Sequence, residues 1–142
     1  MRATPASVRR DMIWLRGMWN RHLGRNLPEG YVREDFFLCY EAEKLVGVFS
    51  LKYELTEYLE NFGGHIGYAV RPSERGRGLA SQMPAQGLQV ARNCGMARVL
   101  CVCDEDNFAS EKVIVKNGGV LENTLFDPEE RVWVKRYWIE AN

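Results

Sequence analysis

The run Arg75-Gly76-Arg77-Gly78-Leu79-Ala80 has the residue types and spacing in this sequence best suited to chemistry. A helix that begins just after glycines presents unpaired N–H groups and the positive end of its dipole, and glycines let a phosphate approach that backbone closely. Two arginines beside the turn add charge-assisted donors suited to a pyrophosphate or a ribose phosphate. The chemistry implied is anion binding at a strand-to-helix turn, although the same run also serves as a plain tight connection.

Two familiar phosphate loops are excluded. The sequence holds no G-x-x-x-x-G-K-[ST], and no G-x-G-x-x-G in a βαβ unit with an acidic residue at the ribose distance. Cys101 and Cys103 share one face of a strand at period two. Burial is the usual fate of cysteine, so they read as core, and C-x-C lacks the paired spacing of a zinc site. No metal is expected. A thiol redox role for this pair requires a depressed thiol pKa.

The elements that must position the turn follow from periodicity. Val8, Met12, Leu15, Met18, Trp19 and Leu23 recur at three- and four-residue steps, which predicts a helix from Ser7 to Leu23, ended by Gly24 and Leu27-Pro28-Glu29-Gly30. Phe36 to Tyr40 and Leu45 to Leu51 read as a hairpin of buried strands, and His65 to Val70 as the next strand. Leu79, Met83, Gly87 and Val90 then share one helical face. Ala97 to Cys103 reads as a strand, Asp104 to Asn117 as a helix ended by Gly118-Gly119, and Val120 to Leu125 and Arg131 to Ile139 as strands around Asp127-Pro128. This order predicts an α/β (α+β) domain with a mixed, partly antiparallel central sheet, at least one parallel crossover and flanking helices. Pro84 deletes a helical hydrogen bond, so a kink is expected near Ala80.

At 142 residues and 46% hydrophobic composition, one domain spanning 1–142 is expected. The 19 basic and 19 acidic residues cancel, leaving no global field to gather nucleic acid or an anionic membrane. The first twenty residues carry no apolar h-region, and the four cysteines fall in strands and helix ends, so a reduced, cytoplasmic chain without a membrane span is expected.

Arg75-Gly76-Arg77-Gly78-Leu79-Ala80 resembles the R/Q-x-x-G-x-G/A signature of the GNAT family of N-acetyltransferases. Ile66-Gly67-Tyr68-Ala69-Val70-Arg71-Pro72 resembles the strand that precedes it there, and Asn107, Ser110, Lys116 and Gly118 match the family's Asn and the helix ending in Lys-x-Gly. The likeness covers roughly Phe36 to the C-terminus. Gly63 to Tyr68 and Arg136-Tyr137-Trp138-Ile139 are similar to a bacterial subgroup. The resemblance implies acetyl-CoA as co-substrate, with the backbone of Val70 and Arg71 holding the pantetheine arm between splaying strands. It also implies pyrophosphate on the N–H groups from Arg75 to Ser81, including Leu79 and Ala80, and Asn107 and Ser110 toward the thioester end.

The sequence departs from that pattern. The family's first strand has no counterpart, which predicts that Phe36 to Tyr40 is covered by a second subunit, as in a homodimer, or by the N-terminal segment. The family's tyrosine seven residues after the Asn is Ile114 here, so the usual general acid is absent. Attack of an amine on a thioester needs a free-base amine, an oxyanion donor and a proton for sulfur. The resemblance makes Val70 N–H the oxyanion donor. Glu54 and His65 are the candidate bases, with Glu57 beside them, and Tyr68 is the candidate acid. Glu54 and Glu57 also read as surface charges, His65 as a strand cap and Tyr68 as core. Two readings stay open: an N-acetyltransferase acting on a primary amine of a small molecule or peptide, and an acyl-CoA-binding sensor or regulatory domain.

Overall fold

The computed structural model describes residues 16–141. Residues 16–23 are helical and form the described part of α1, while Val8, Met12 and Leu15 of the expected stripe lie outside the described residues. The chain continues through β1 (Glu34–Glu41), β2 (Lys44–Lys52), a π-helical turn (Leu59–Gly63), β3 (Ile66–Val70), a 3₁₀ turn (Pro72–Glu74) and α2 (Leu79–Asn93). It ends with β4 (Arg98–Asp104), α3 (Phe108–Lys116), β5 (Val120–Asp127) and β6 (Val132–Glu140).

The strands form two three-stranded sheets, ordered β1-β2-β3 and β4-β6-β5. Every described ladder is antiparallel. The expected crossover is present as β3–α2–β4, but its two strands do not form a parallel ladder. They are joined at one end and open beyond it. The β1–β2 hairpin turns over Ala42 and Glu43, with Glu41 opposite Lys44.

The core lies between the sheets and the helices. Leu51, Ile66, Val99, Cys101, Tyr137 and Ile139 from the strands meet Leu88 and Ala91 of α2 and Ile114 of α3. Met83, Gly87 and Ala91, four residues apart on α2, form its buried face. Two glycines bring that helix close: a Cβ at Gly47 would meet Met83 Cε at 2.0 Å and Ala69 O at 2.7 Å, and one at Gly87 would meet Ile66 Cδ1 at 3.2 Å. α2 runs as one helix through buried Pro84, which leaves Ala80 C=O without its i+4 donor.

β1 is an edge strand among the described residues, with Leu38 53% and Tyr40 58% exposed. No helix of the described residues is long and apolar enough to cross a membrane.

Candidate functional site

A cleft of about 690 Å³ opens where β3 and β4 diverge. At its closed end His65 N–H donates to Leu100 C=O at 2.7 Å, and Leu100 N–H donates to the His65 ring at Nδ1, 2.8 Å away. A side-chain nitrogen thus takes the N–H that a strand carbonyl would take in a continuing ladder. Gly64, at φ +74°, permits the approach: a Cβ there would meet Leu100 O at 2.7 Å.

Beyond this point both strands turn unpaired backbone toward the gap. Lys52 N–H donates to His65 C=O and Arg71 N–H to Val46 C=O, each at 2.8 Å. Hydrogen-bonded pairs alternate along an antiparallel ladder, so Gly67 and Ala69 bond β2, leaving the N–H and C=O of Ile66, Tyr68 and Val70 directed away from it. On β4, Ala141 N–H to Ala97 C=O (2.9 Å) and Glu105 N–H to Trp133 C=O (2.8 Å) set the same alternation. Leu100 and Val102 therefore direct their backbone away from β6. The gap has the hydrogen-bonding character of a missing strand, the form in which an extended, amide-bearing ligand adds to a sheet edge.

The glycine turn forms the outer end of the cleft. Gly76 and Gly78 both adopt φ +78°, a left-handed conformation that disfavours side chains, and a Cβ at either would meet nothing within 4 Å. The loop is open on the side a phosphate would approach. Glu74, Arg75, Gly76, Gly78, Leu79 and Ala80 line the cleft, while Arg71, Arg77 and Ser81 do not. Arg71 Nη1 donates to Leu45 C=O at 3.3 Å. Ser81 N–H lies 3.3 Å from Gly78 C=O. The Arg77 guanidinium, expected from the sequence to add a donor to the phosphate, is engaged elsewhere: Nη2 donates to both Glu41 oxygens at 2.8 and 2.9 Å, and Nη1 pairs with Glu74. Two carboxylates outcompete solvent for a guanidinium on a short connection. Arg75 Nε lies 3.4 Å from Val70 C=O, on the cleft side.

The opposite wall is the start of α3. Asn107 caps it, Oδ1 accepting from Ser110 N–H at 3.1 Å, and both residues line the cleft. Ser110 Oγ and Tyr68 Oη lie 2.9 Å apart, so hydroxyls from the two walls meet. Burial holds the Tyr68 phenol above its ordinary pKa, with Cys101 and Cys103 adding to the rise against the Ser110 hydrogen bond. Ile114 is 1% exposed in the core, so the usual tyrosine position does not face the cleft. Burial pushes the Cys101 thiol up to about 12 and the Cys103 thiol up to about 11, the reverse of what a reactive redox pair needs. Among the described residues no group of three or more His, Cys, Asp or Glu is placed to hold a metal.

Two candidate bases take other places. His65 is 9% exposed, and burial, with Lys52 nearby, lowers its pKa to about 4. A neutral imidazole has one in-plane lone pair, and Nδ1 commits it to Leu100, so no lone pair remains to take a substrate proton. The ring joins the two strands. Glu54 is exposed just after β2, outside the cleft lining, as is Glu57. The segment carrying Glu57 enters the π-turn, which the second sheet holds: Tyr58 Oη donates to Asp127 Oδ2 at 2.7 Å and Arg136 Nε to Glu60 C=O at 2.9 Å.

Sequence reasoning missed Glu74, Gly63, Val102, Ala109 and Val113 as cleft residues. Only the Gly63-Gly64 pair carried a signal, as a close-approach site before a strand.

The family description "Acetyltransferase (GNAT) domain" matches residues 2–120. The ribosomal-protein-serine acetyltransferase of Escherichia coli (strain K12) is 32% identical over 101 residues, covering 70% of this chain and 54% of that protein. This chain therefore spans about half the length of that curated relative. A structure of the ribosomal L7/L12 α-N-protein acetyltransferase with coenzyme A superposes with a TM-score of 0.68 at 25% identity, covering 94% of this chain and 75% of the other. A spermidine N-acetyltransferase mutant from Vibrio cholerae shares the fold, with a TM-score of 0.66 at 20% identity over 91% and 75% of the two chains. The splayed strands, the glycine turn and these matches lead to one conclusion: this chain belongs to the GNAT acetyltransferase family.

Proposed function

We propose that the protein transfers an acetyl group from acetyl-CoA to a primary amine of a small molecule or peptide, by direct attack within a ternary complex. The observation that carries this reading is the backbone of Tyr68 and Val70, outside any strand ladder and with Val70 C=O accepting only from Arg75 Nε, running into the open Gly76/Gly78 loop within one cleft. A pantetheine arm carries amides that match the first, and a pyrophosphate matches the second. When bound, acetyl-CoA supplies an acyl group already activated as a thioester, so positioning contributes much of the rate.

In this reading Val70 holds the arm through its backbone, since Arg71 commits its N–H to Val46 and its C=O to Glu74, and the N–H groups from Gly76 to Ala80 hold the diphosphate. Asn107 and Ser110 approach the thioester end. The Val70 N–H is free to stabilise an oxyanion. Tyr68 keeps its proton well above neutral pH and hands it to the departing thiolate, with Ser110 as its hydrogen-bond partner, and the proton shed by the attacking amine restores the phenol. An amine acceptor suits the segment that leads into β3, since residues 53–70 contain Glu54, Glu57 and Glu60 and no Lys or Arg. Glu129 and Glu130 add to this, being close enough to raise the Tyr58 pKa. The buried Ile114 is the one observation that favours a non-catalytic acyl-CoA sensor instead. A soluble cytoplasmic enzyme, paired through the β1 edge as a homodimer, is part of the same proposal.

Calorimetric titration with acetyl-CoA followed by thiol release against a panel of amines tests the proposal. Micromolar binding with amine-dependent release is expected, and binding without release from any amine leaves the sensor reading. Tyr68→Phe is expected to lower kcat about tenfold or more with little change in KM for acetyl-CoA. An unchanged kcat removes Tyr68 from the chemistry.

A further inference from the structure

Arg77 sits between the two glycines of the phosphate loop, yet its guanidinium turns away from the cleft. It faces a second cavity of about 360 Å³ between the β1–β2 hairpin and α2, lined also by Glu41, Gln82 and Met83. There it bridges Glu41 at the end of β1 and Glu74 on the 3₁₀ turn. Glu74 is 5% exposed and also accepts from Lys44 at the start of β2 and from Ser73 Oγ at 3.3 Å. These bonds to cations, the one to Lys44 foremost, hold the Glu74 carboxyl below its ordinary pKa despite its burial.

We propose that Glu41, Glu74, Arg77 and Lys44 form a latch that pre-sets the phosphate loop, so that the Arg77 side chain positions the loop for the coenzyme and is not one of its ligands. The proposal rests on the acetyl-CoA reading above. A loop with glycines at 76 and 78 has wide conformational freedom, and ordering it opposes binding. Fixing the residue between them by two carboxylates aims the neighbouring N–H groups before a ligand arrives. The latch also settles an electrostatic conflict. Glu74 lines the cleft beside the loop, where a bare carboxylate would repel a diphosphate. Lys44 and Arg77 neutralise it, which makes the hairpin tip part of the anion site without touching the anion.

The test uses Glu41→Gln, on a side chain 51% exposed and outside the cleft, together with Arg77→Gln and the double variant. Each is titrated with acetyl-CoA and with dephospho-coenzyme A, and loop amides 75–81 are followed by hydrogen exchange in the ligand-free protein. Glu41→Gln is expected to weaken both ligands equally, by about fivefold, and to raise KM for acetyl-CoA while kcat at saturation holds. The double variant is expected to be no worse than Arg77→Gln alone, because both break one linkage. Loop exchange is expected to quicken in all three. Unchanged affinity and exchange in Glu41→Gln overturn the latch. An Arg77→Gln loss confined to acetyl-CoA and spared with dephospho-coenzyme A overturns it too, since Arg77 would then hold the 3′-phosphate directly. If the wild-type protein binds neither ligand, the coenzyme reading falls, and hydrogen exchange alone decides the latch.

Discussion

The two ends of the cleft are built from different material. At the loop end the working groups are main-chain N–H groups, exposed by glycines at φ +78° and by a helix N-terminus. At the closed end, across the walls and at the neighbouring π-turn they are side chains from distant segments: His65 against Leu100, Tyr68 against Ser110, and Tyr58 and Arg136 holding the π-turn. A backbone site depends on which conformations a short run can adopt, so it is local. A side-chain site depends on which residues the fold brings together, so it is not local.

The sharpest way to break this comparison is at the loop. Gly78→Val places a β-branched residue in the left-handed region and covers the open N–H face. Acetyl-CoA affinity is expected to fall about 100-fold by calorimetry, and Gly78→Ala should fall less. Retained affinity in both variants would move the anion site elsewhere.

The closed end should instead answer to pH. His65 has a folded-state pKa of about 4 against an ordinary value of 6.5. Between these values the unfolded chain takes up a proton that the folded one refuses. Its contribution is therefore present above about pH 6.5, falls as pH drops toward 4, and is gone below that. The loss approaches about 3 kcal/mol, read from urea unfolding across this range. His65→Gln should flatten that segment of the curve, while an unchanged slope would mean that the ring is not held as the strand junction.

The smallest effect is expected in the acidic segment before β3. Glu54→Gln, at an exposed position outside the cleft lining, should change kcat/KM less than about twofold. A tenfold loss would return Glu54 to the role of base and show that the acceptor side rearranges when substrate binds.

Much of this was legible from residue patterns. The strands flanking Ala42-Glu43, the helix after Gly78 and the strand at Cys101 and Cys103 follow from apolar spacing and glycine placement, and all are observed. The helix expected from Asp104 begins instead at Phe108, because Asn107 caps it and Asp104 still belongs to β4. The engagement of the Arg77 side chain could not be read from the sequence, for a physical reason. Its natural partners, Glu41 and Glu74, lie 36 and 3 residues away, and no local pattern marks a carboxylate on a distant hairpin as the stronger competitor for a guanidinium. His65 failed similarly, since its lone pair is claimed by Leu100, 35 residues on.

The sequence by itself determined the glycine turn, the order of elements and the family likeness, because each rests on backbone preference and on apolar periodicity within one segment. Only the tertiary structure decided where β3 and β4 part, that Tyr68 meets Ser110, and that Arg77 serves a latch. Those outcomes depend on the angle between two sheets and on charges that meet across the fold, and such quantities exist only once the chain has closed on itself.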